Sequence, residues 1–207
     1  MLQLNNKLIT CVSGTAPKVR TIKNLLTEGA NINYNTKEGY TPLMLAAKGK
    51  HDRIVEYLLK QGANPFLKNH EHNSASELMS SNLSTYTILK DHELLYATMN
   101  NDLTTVIASI NSGAWVNFQG AGDYTALMIA VEQNSIEMVE YLLLQGANLL
   151  LTRTDGQTVF QMTKDTAIID LLETANNLNL DISENQVLTI TPEKRKLHAQ
   201  RRNHTLF

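Results

Sequence analysis

His70, Glu71 and His72 form the densest group of metal-ligating side chains in this 207-residue sequence. A protein zinc site needs about three or four nitrogen, sulfur or oxygen ligands at recognisable spacings. No third ligand stands at such a spacing, and no two histidines lie four residues apart. The single cysteine, Cys11, cannot complete a site with them. The sequence therefore predicts no metal centre.

The residues that could act as a nucleophile, a general base or a phosphate cradle lack the arrangement that those roles need. The ten glycines stand at turn positions, and none forms a glycine-rich phosphate loop. No Ser-His-Asp set and no pair of carboxylates has a spacing typical of acid–base catalysis. We therefore predict a protein that is not an enzyme and that binds no cofactor.

The composition favours a folded protein with a sizeable core. Apolar residues make up 43% of the chain and charged residues 18%, which excludes wholesale disorder. The formal net charge of −2 makes nucleic acid an improbable partner. No apolar run approaches the ~18 residues of a transmembrane helix. With one cysteine and no internal disulfide, we expect a cytoplasmic protein.

The chain contains two repeated motifs. The run LLKQGAN at 58–64 recurs as LLLQGAN at 142–148, and related runs end at residues 31 and 115. Each of the four runs contains a Gly-Ala pair. The positions that follow the pairs are 31, 64, 115 and 148, with spacings of 33, 51 and 33. The second motif is YTPLMLAA at 40–47, which recurs as YTALMIAV at 124–131. A fixed period of this length is typical of repeat proteins.

Each residue of these motifs has a local structural reason. Thr41 can cap a helix, and Pro42 then occupies the first helical turn, where its missing N–H costs nothing. Apolar residues at 54, 55, 58 and 59 have the spacing of a second helix. Gly62 suits the left-handed residue that ends that helix. The repeating unit is thus helix, turn, helix and an extended finger.

The period and both motifs resemble the ankyrin repeat family. The resemblance implies an all-α, ankyrin-repeat solenoid with short β-hairpin fingers. Two departures weaken the expected rigidity: Met44 and Met128 replace a histidine that ties neighbouring turns together in the family, and Ala126 replaces the opening proline.

A longer duplication, which spans several repeats, is also present in the sequence. With an offset of 84 residues, 14 of the 26 positions in 39–64 are identical in 123–148. We infer about six repeats in two blocks of three, an ankyrin repeat domain at 1–175, and a C-terminal linker and basic tail at 176–207. Repeat three is degenerate, with Ser76 at a core leucine position. No finger is predicted between 74 and 115, so we expect a notch there, walled by Trp115, with 74–92 as the weakest segment.

The resemblance implies that the fingers and first helices form a concave, partner-binding side. The positions that vary within the family, together with the aromatic anchors, define the candidate contact residues: Asn35, Lys37, Glu38, Tyr40, Lys48, Lys68, His70, Trp115, Gln119, Tyr124, Glu132 and Gln157. Trp115 has two interpretations, because an aromatic residue at a repeat exit can anchor a partner or can seal the joint between the blocks.

Two functions follow as hypotheses. The first is a non-enzymatic adaptor, monomeric before partner binding, that binds another protein through its concave finger side. The second is a bacterial effector that acts in the host-cell cytosol. In that case the tail, with five basic residues between 194 and 202, is the secretion signal. The tail could instead be a capping helix or could contact phosphates and anionic lipid.

Overall fold

A computed structural model describes residues 1–79 and 83–185 of the chain. Nine α-helices and two 3-10 turns lie within these ranges, and no strand does. The helices are α1 (Leu2–Ser13), α2 (Val19–Thr27), α3 (Pro42–Lys48), α4 (Asp52–Lys60), α5 (Leu83–Met99), α6 (Leu103–Asn111), α7 (Ala126–Glu132), α8 (Ile136–Leu144) and α9 (Thr166–Asn185). The prediction of an all-α repeat fold is confirmed.

Successive helices pack in antiparallel pairs, and each pair packs on the next. The buried side chains form two hydrophobic clusters that follow the two blocks. Leu89 belongs to the first cluster and Leu94 to the second, so the boundary between them lies within α5. The duplication seen in the sequence therefore appears as two cores that share one helix.

The helix starts are capped as predicted, with a sulfur atom in place of the family's histidine. The Thr41 hydroxyl accepts a bond from the Met44 N–H at 3.2 Å, and the Thr41 N–H donates to the Met44 sulfur at 3.4 Å. Thr125 and Met128 repeat the pair at 3.2 and 3.5 Å. The expected loss of rigidity at the methionines is therefore offset by a reciprocal cap, although sulfur is a weak acceptor.

Glycine ends the second helix of the intact repeats. Gly62 and Gly146 have φ angles of +87° and +82°, and no heavy atom of another part of the protein lies within 4 Å of an added Cβ. The predicted left-handed termination is confirmed, and backbone conformation alone accounts for glycine at these two positions.

The fingers are tight turns and not ladders of paired strands. Each finger is closed by two backbone bonds at one residue, which is Thr36, Asn69, Gly120 or Arg153. Its carbonyl accepts from the N–H three residues later, and its own N–H donates to the carbonyl oxygen four residues later. These donors have the same spacings, 33, 51 and 33, as the Gly-Ala motif. The expected hairpins are absent from the described residues because the two arms of each finger pair at a single point.

Among residues 1–79 and 83–185, the backbone hydrogen bonds that join two fingers lie within a block. The N–H of His70 donates to the carbonyl of Glu38 at 3.2 Å, and the N–H of Thr154 donates to that of Gly122 at 3.3 Å. Within the described residues, no finger stands between 74 and 115. The fingers thus form two pairs with a gap, as the sequence predicts.

The joint between the blocks differs from the prediction. One helix, α5, runs through the predicted boundary at 90, and the described residues 74–79 hold a capped turn where repeat three should begin with a helix. The Ser74 N–H donates to the Glu77 carboxylate at 2.6 Å. Thr158 and Gln161, 84 residues later, repeat this cap at 2.8 Å. Both blocks therefore end in the same shortened unit followed by a long helix.

The predicted domain boundary at 175 also needs correction. Helix α9 continues across it to Asn185, so residues 176–185 are helical and do not form a linker. The predicted tail elements after residue 185 lie outside the described residues.

Ser76, at a position where the repeat pattern has a core leucine, occupies a polar site, so a leucine there is expected to destabilise the protein. Its hydroxyl is buried, lies 3.2 Å from that of Ser74 and accepts a bond from the Lys90 ammonium at 3.4 Å. We expect Ser76→Leu to lower the free energy of unfolding by ~1–3 kcal/mol, because the alkyl group displaces this network. Urea unfolding measures it, and Ser76→Ala is the control for volume. A stabilised Ser76→Leu protein would contradict this description of the site.

A ladder of side-chain oxygens binds the backbone at each repeat exit, from the preceding repeat at 64 and 148 and from the first helix of the same helix pair at 31 and 115. The N–H groups at 31, 64, 115 and 148 each donate to a carboxamide or carboxylate oxygen at 2.6–2.9 Å. The acceptors are Asn5, Asn33, Asp91 and Asn117. This ladder explains part of the high asparagine content, because an asparagine is short enough to bridge two backbones without competing charge.

Removal of one rung is expected to loosen the stack. Asn33→Ala leaves the part-buried N–H of Asn64 without its acceptor, so we expect a loss of ~1–3 kcal/mol of stability. Asn33→Asp keeps the oxygen, as Asp91 does for Trp115, and should retain most of the stability. Chemical denaturation of the pair distinguishes a lost hydrogen bond from lost volume.

Candidate functional site

The first-block fingers present exposed, charged side chains beside a tyrosine. Lys37 and Glu38 lie exposed at the turn of the first finger, and His70 lies exposed on the next one. The Lys48 ammonium lies 5.1 Å from the centre of the Tyr40 ring, within range of a cation–π interaction. Tyr40 thus lies along the first helix of its repeat, with a cation over its ring.

The second block places Tyr124 in the same position with an acidic neighbour. The Tyr124 hydroxyl donates to the Glu132 carboxylate at 2.9 Å and accepts a bond from Arg153 at 2.6 Å. Arg153 also reaches Glu132 at 3.0 Å and Asp155 at 2.5 Å. Its guanidinium lies 4.8 Å from the centre of the Tyr124 ring. These four side chains form one closed cluster across two fingers.

The cluster shifts the ionisation of its members. The hydrogen bond to Glu132 raises the pKa of the Tyr124 hydroxyl, because a phenolate could not donate it. The bond to Asp155 raises the pKa of Arg153. The pKa of Asp155 is lowered, first by the Gln157 N–H and then by Arg153. The three shifts favour a neutral Tyr124 hydroxyl, a charged Arg153 and a charged Asp155, which are the protonation states that hold the cluster together near neutral pH.

The two blocks carry opposite charge at equivalent positions. Lys48 and Glu132 are 84 residues apart and both meet the tyrosine of their block, and Arg53 and Glu137 are similarly related. Residues 1–79 hold ten Lys and Arg against six Asp and Glu, a formal charge of +4. Residues 85–177 hold three against eleven, a formal charge of −8. The formal net charge of the whole chain, −2, does not reveal this difference in charge between the two blocks.

Several predicted contact residues have structural partners. The Gln119 amide donates to the carbonyls of Asp123 and Thr152 at 3.1 and 3.0 Å, so it links two fingers. Lys68 lies 3.7 Å from Glu77, with both side chains about half exposed. Asn35 and Gln157 are exposed. The structure thus brings Tyr40 and Lys48 together in one block and Tyr124 and Glu132 in the other.

Trp115 lies at a repeat exit and away from the predicted notch. Its N–H donates to the Asp91 carboxylate at 2.6 Å, which fixes the exit against α5. The gap between the finger pairs is walled by Ala121 and Tyr124. Trp115 is not among the described residues that line this gap, so the structure does not place it on the far wall that the sequence predicts.

Arg153 is the member of this cluster that the sequence analysis did not include among the candidate contact residues. The candidate contact residue that the sequence gives in repeat six is Gln157, four residues after Arg153. The equivalent residue in repeat three is the buried Asn69. A long basic residue at that position, next to Asp155 and 21 residues after Glu132, was the available signal.

The described residues hold no group of three or more His, Cys, Asp or Glu side chains placed to bind a metal ion. His70 and His72 are exposed and form no such group with their neighbours. Among the helices that the structure describes, none is both long and apolar enough to span a bilayer.

Comparison with known proteins places the repeats in a family. The family model described as "Ankyrin repeats (many copies)" matches residues 25–78 and 116–162. The chain is 31% identical over 164 residues to the mitochondrial disaggregase of Bos taurus, which covers 77% of this chain and 21% of that protein. It is 31% identical over 148 residues to Rabankyrin-5 of Mus musculus, covering 62% and 13%.

A third relative is the nuclear factor NF-kappa-B p105 subunit of Mus musculus, 33% identical over 133 residues, with 63% of this chain and 12% of that protein covered. The chain thus spans between about an eighth and a fifth of the length of these relatives. The similarity therefore concerns the repeat region that the proteins share.

Proposed function

Because the chain belongs to the ankyrin repeat family, whose repeats bind other proteins, we propose that it is a non-enzymatic adaptor that binds its partner through the concave finger side. The observation that carries this proposal is the contrast between the tied and the exposed parts of each finger. The finger bases are fixed by the ladder bonds, and the backbones of Glu38 and His70 are bonded to each other, whereas the side chains of Lys37, Glu38 and His70 are exposed at the turns. Such preorganised, exposed side chains lower the entropy cost of binding.

The tyrosines give this side its anchors. Tyr40 and Tyr124 lie partly buried along the first helices of equivalent repeats, each held by a charged neighbour. Rigid aromatic side chains add contact area with little loss of entropy, which is why tyrosine is enriched in interface hot spots. On this proposal, the chain acts as a cytoplasmic monomer until it meets its partner.

A charge exchange at the first finger tests the proposal without changing the net charge. In Lys37→Glu with Glu38→Lys, we expect partner recovery in a quantitative pull-down to fall about tenfold, because the exposed charges exchange sign at the contact. The control is Lys23→Glu with Glu28→Lys on the outer side of the first repeat, where recovery should change less than twofold. Equal effects of the two exchanges would contradict binding through the fingers.

The effector hypothesis depends on residues outside the described ranges. It proposes that the tail carries the chain into a host cell, where the same finger side binds a host protein. A reporter fusion that lacks residues 190–207 tests it, because translocation should be lost while binding to the partner is retained. Undiminished translocation would remove the role of the tail.

A further inference from the structure

A groove of about 550 Å³ occupies the gap left by the missing third finger. Pro65 lines it from the first block, and Ala121 and Tyr124 line it from the second. Its floor is the second half of α5, with Leu95 and Met99 among the lining residues. We call this site the joint groove. Its size is that of a site for a small molecule or for one or two side chains.

The floor of the joint groove is apolar and adaptable. Met99 is 60% exposed, which is unusual for a large apolar side chain that lines a concave site. Methionine is flexible and polarisable, so it can fit differently shaped apolar partners. Tyr96 packs beside it, held edge-on by Phe66 at 5.8 Å between ring centres.

His92 adds an unused polar atom to this lining. The residue is 8% exposed, and its ring packs edge-on against Phe118 at 4.9 Å. Among the described residues, its Nε2 is buried and has no hydrogen-bond partner. A buried polar atom without a partner costs free energy, which a polar group of an occupant can recover.

Opposite charges flank the joint groove. Lys60 lines the wall of the first block and Glu132 that of the second. Lys60 pairs with Glu56, and Glu132 with Arg153, so these side chains are partly neutralised locally. The formal charges of +4 and −8 on the two sides extend the polarity well beyond the groove. A charge distribution of this kind orients a partner before contact.

We propose that the joint groove binds an extended segment of the partner protein that carries an apolar side chain between an acidic and a basic end. The apolar side chain lies on Met99 and Tyr96. The acidic end faces residues 1–79, and the basic end faces residues 85–177. This inference rests on the proposed function and names the chemistry of the partner, which the finger-side proposal leaves open.

The probe is a fluorescein-labelled peptide with three glutamates, a central leucine–phenylalanine pair and three lysines. We expect the full chain to bind it about tenfold more tightly than a peptide of equal composition with alternating charges. A second control peptide, with serines at the centre, should bind equally weakly. Equal affinity for all three peptides would overturn the proposal.

Two variants locate the peptide. Met99→Glu and Ala121→Arg change exposed side chains of the joint groove, and each should weaken binding of the probe about tenfold. The matched control is Leu144→Glu, also the last residue of a helix and 83% exposed, which should have no effect. Equal losses with Leu144→Glu, or no loss with either groove variant, would overturn the proposal.

Other occupants give distinct results. Binding that appears only after removal of residues 186–207 would identify the chain's own tail as the occupant and overturn the proposal. A dimer that sedimentation shows to be dissociated by Met99→Glu would identify a second copy and also overturn it. If the probe fails to bind while the Lys37 and Glu38 exchange still lowers partner recovery about tenfold, only the joint-groove proposal is wrong and the finger-side proposal stands.

Discussion

Lowering the pH from 6.5 to 4 is expected to destabilise the protein by about 3 kcal/mol through His92 alone. Burial lowers the pKa of this imidazole to about 4, helped by Lys60 and opposed by Glu56. The unfolded chain keeps the ordinary pKa of 6.5. Between these values the unfolded state binds a proton that the folded state excludes, so stability falls with falling pH and levels off below 4.

Replacement of the imidazole removes this dependence. His92→Phe keeps a ring against Phe118 and deletes the unpartnered nitrogen, so its stability at pH 7 should equal or exceed that of the wild type. The difference between wild type and variant in urea unfolding should change by about 3 kcal/mol between pH 7 and pH 4. His92→Gln, which also cannot titrate, should show the same dependence of stability on pH as His92→Phe. Parallel curves for wild type and both variants would contradict a buried, neutral His92.

Gly39→Ala is expected to cost ~2–5 kcal/mol, more than any other substitution of a finger glycine by alanine. The φ angle of Gly39 is +83°, which strains a residue with a Cβ. The added Cβ would also lie 2.9–3.1 Å from atoms of His70 and Asn69, two of which belong to the backbone of the next finger. The backbone cannot move aside without breaking the bond between the His70 N–H and Glu38.

Gly156→Ala separates the two contributions. Gly156 has a φ angle of +82° but no neighbouring heavy atom within 4 Å of an added Cβ. It should therefore show only the backbone strain, ~1–2 kcal/mol. Equal losses for the two substitutions in urea unfolding would show that the fingers of the first block do not pack as described.

The sequence was sufficient for the features that repeat. Thr41, Gly62 and the 84-residue duplication each follow from local rules that hold wherever the motif stands, so the caps, the helix ends and the presence of two blocks were predictable. The gap in the row of fingers was predictable for the same reason, since a finger needs its own Gly-Ala exit.

The features that depend on two distant residues were not predictable. Local sequence rules assign no role to Asn33 or Asn117. In the structure, each accepts a bond from the backbone of the next repeat. From the sequence, Ser76 indicates a poorly packed core position. The structure places Lys90 beside it as a hydrogen-bond donor, and the sequence alone does not indicate this contact. Arg153 is positioned by Tyr124 and Glu132, which come from another repeat. The sequence predicts a repeat boundary at residue 90, whereas the structure has one continuous helix, α5, across it.

Site-specific photo-crosslinking tests binding through the finger side most directly. A benzophenone amino acid at Lys37 or Gln157 reports on the fingers, and one at Arg53 or Glu137 reports on equivalent points of the outer helices, all four positions being exposed. After irradiation with the partner, we expect covalent adducts from 37 and 157 and none from 53 and 137. Adducts from 53 and 137, with none from 37 and 157, would contradict the finger-side adaptor.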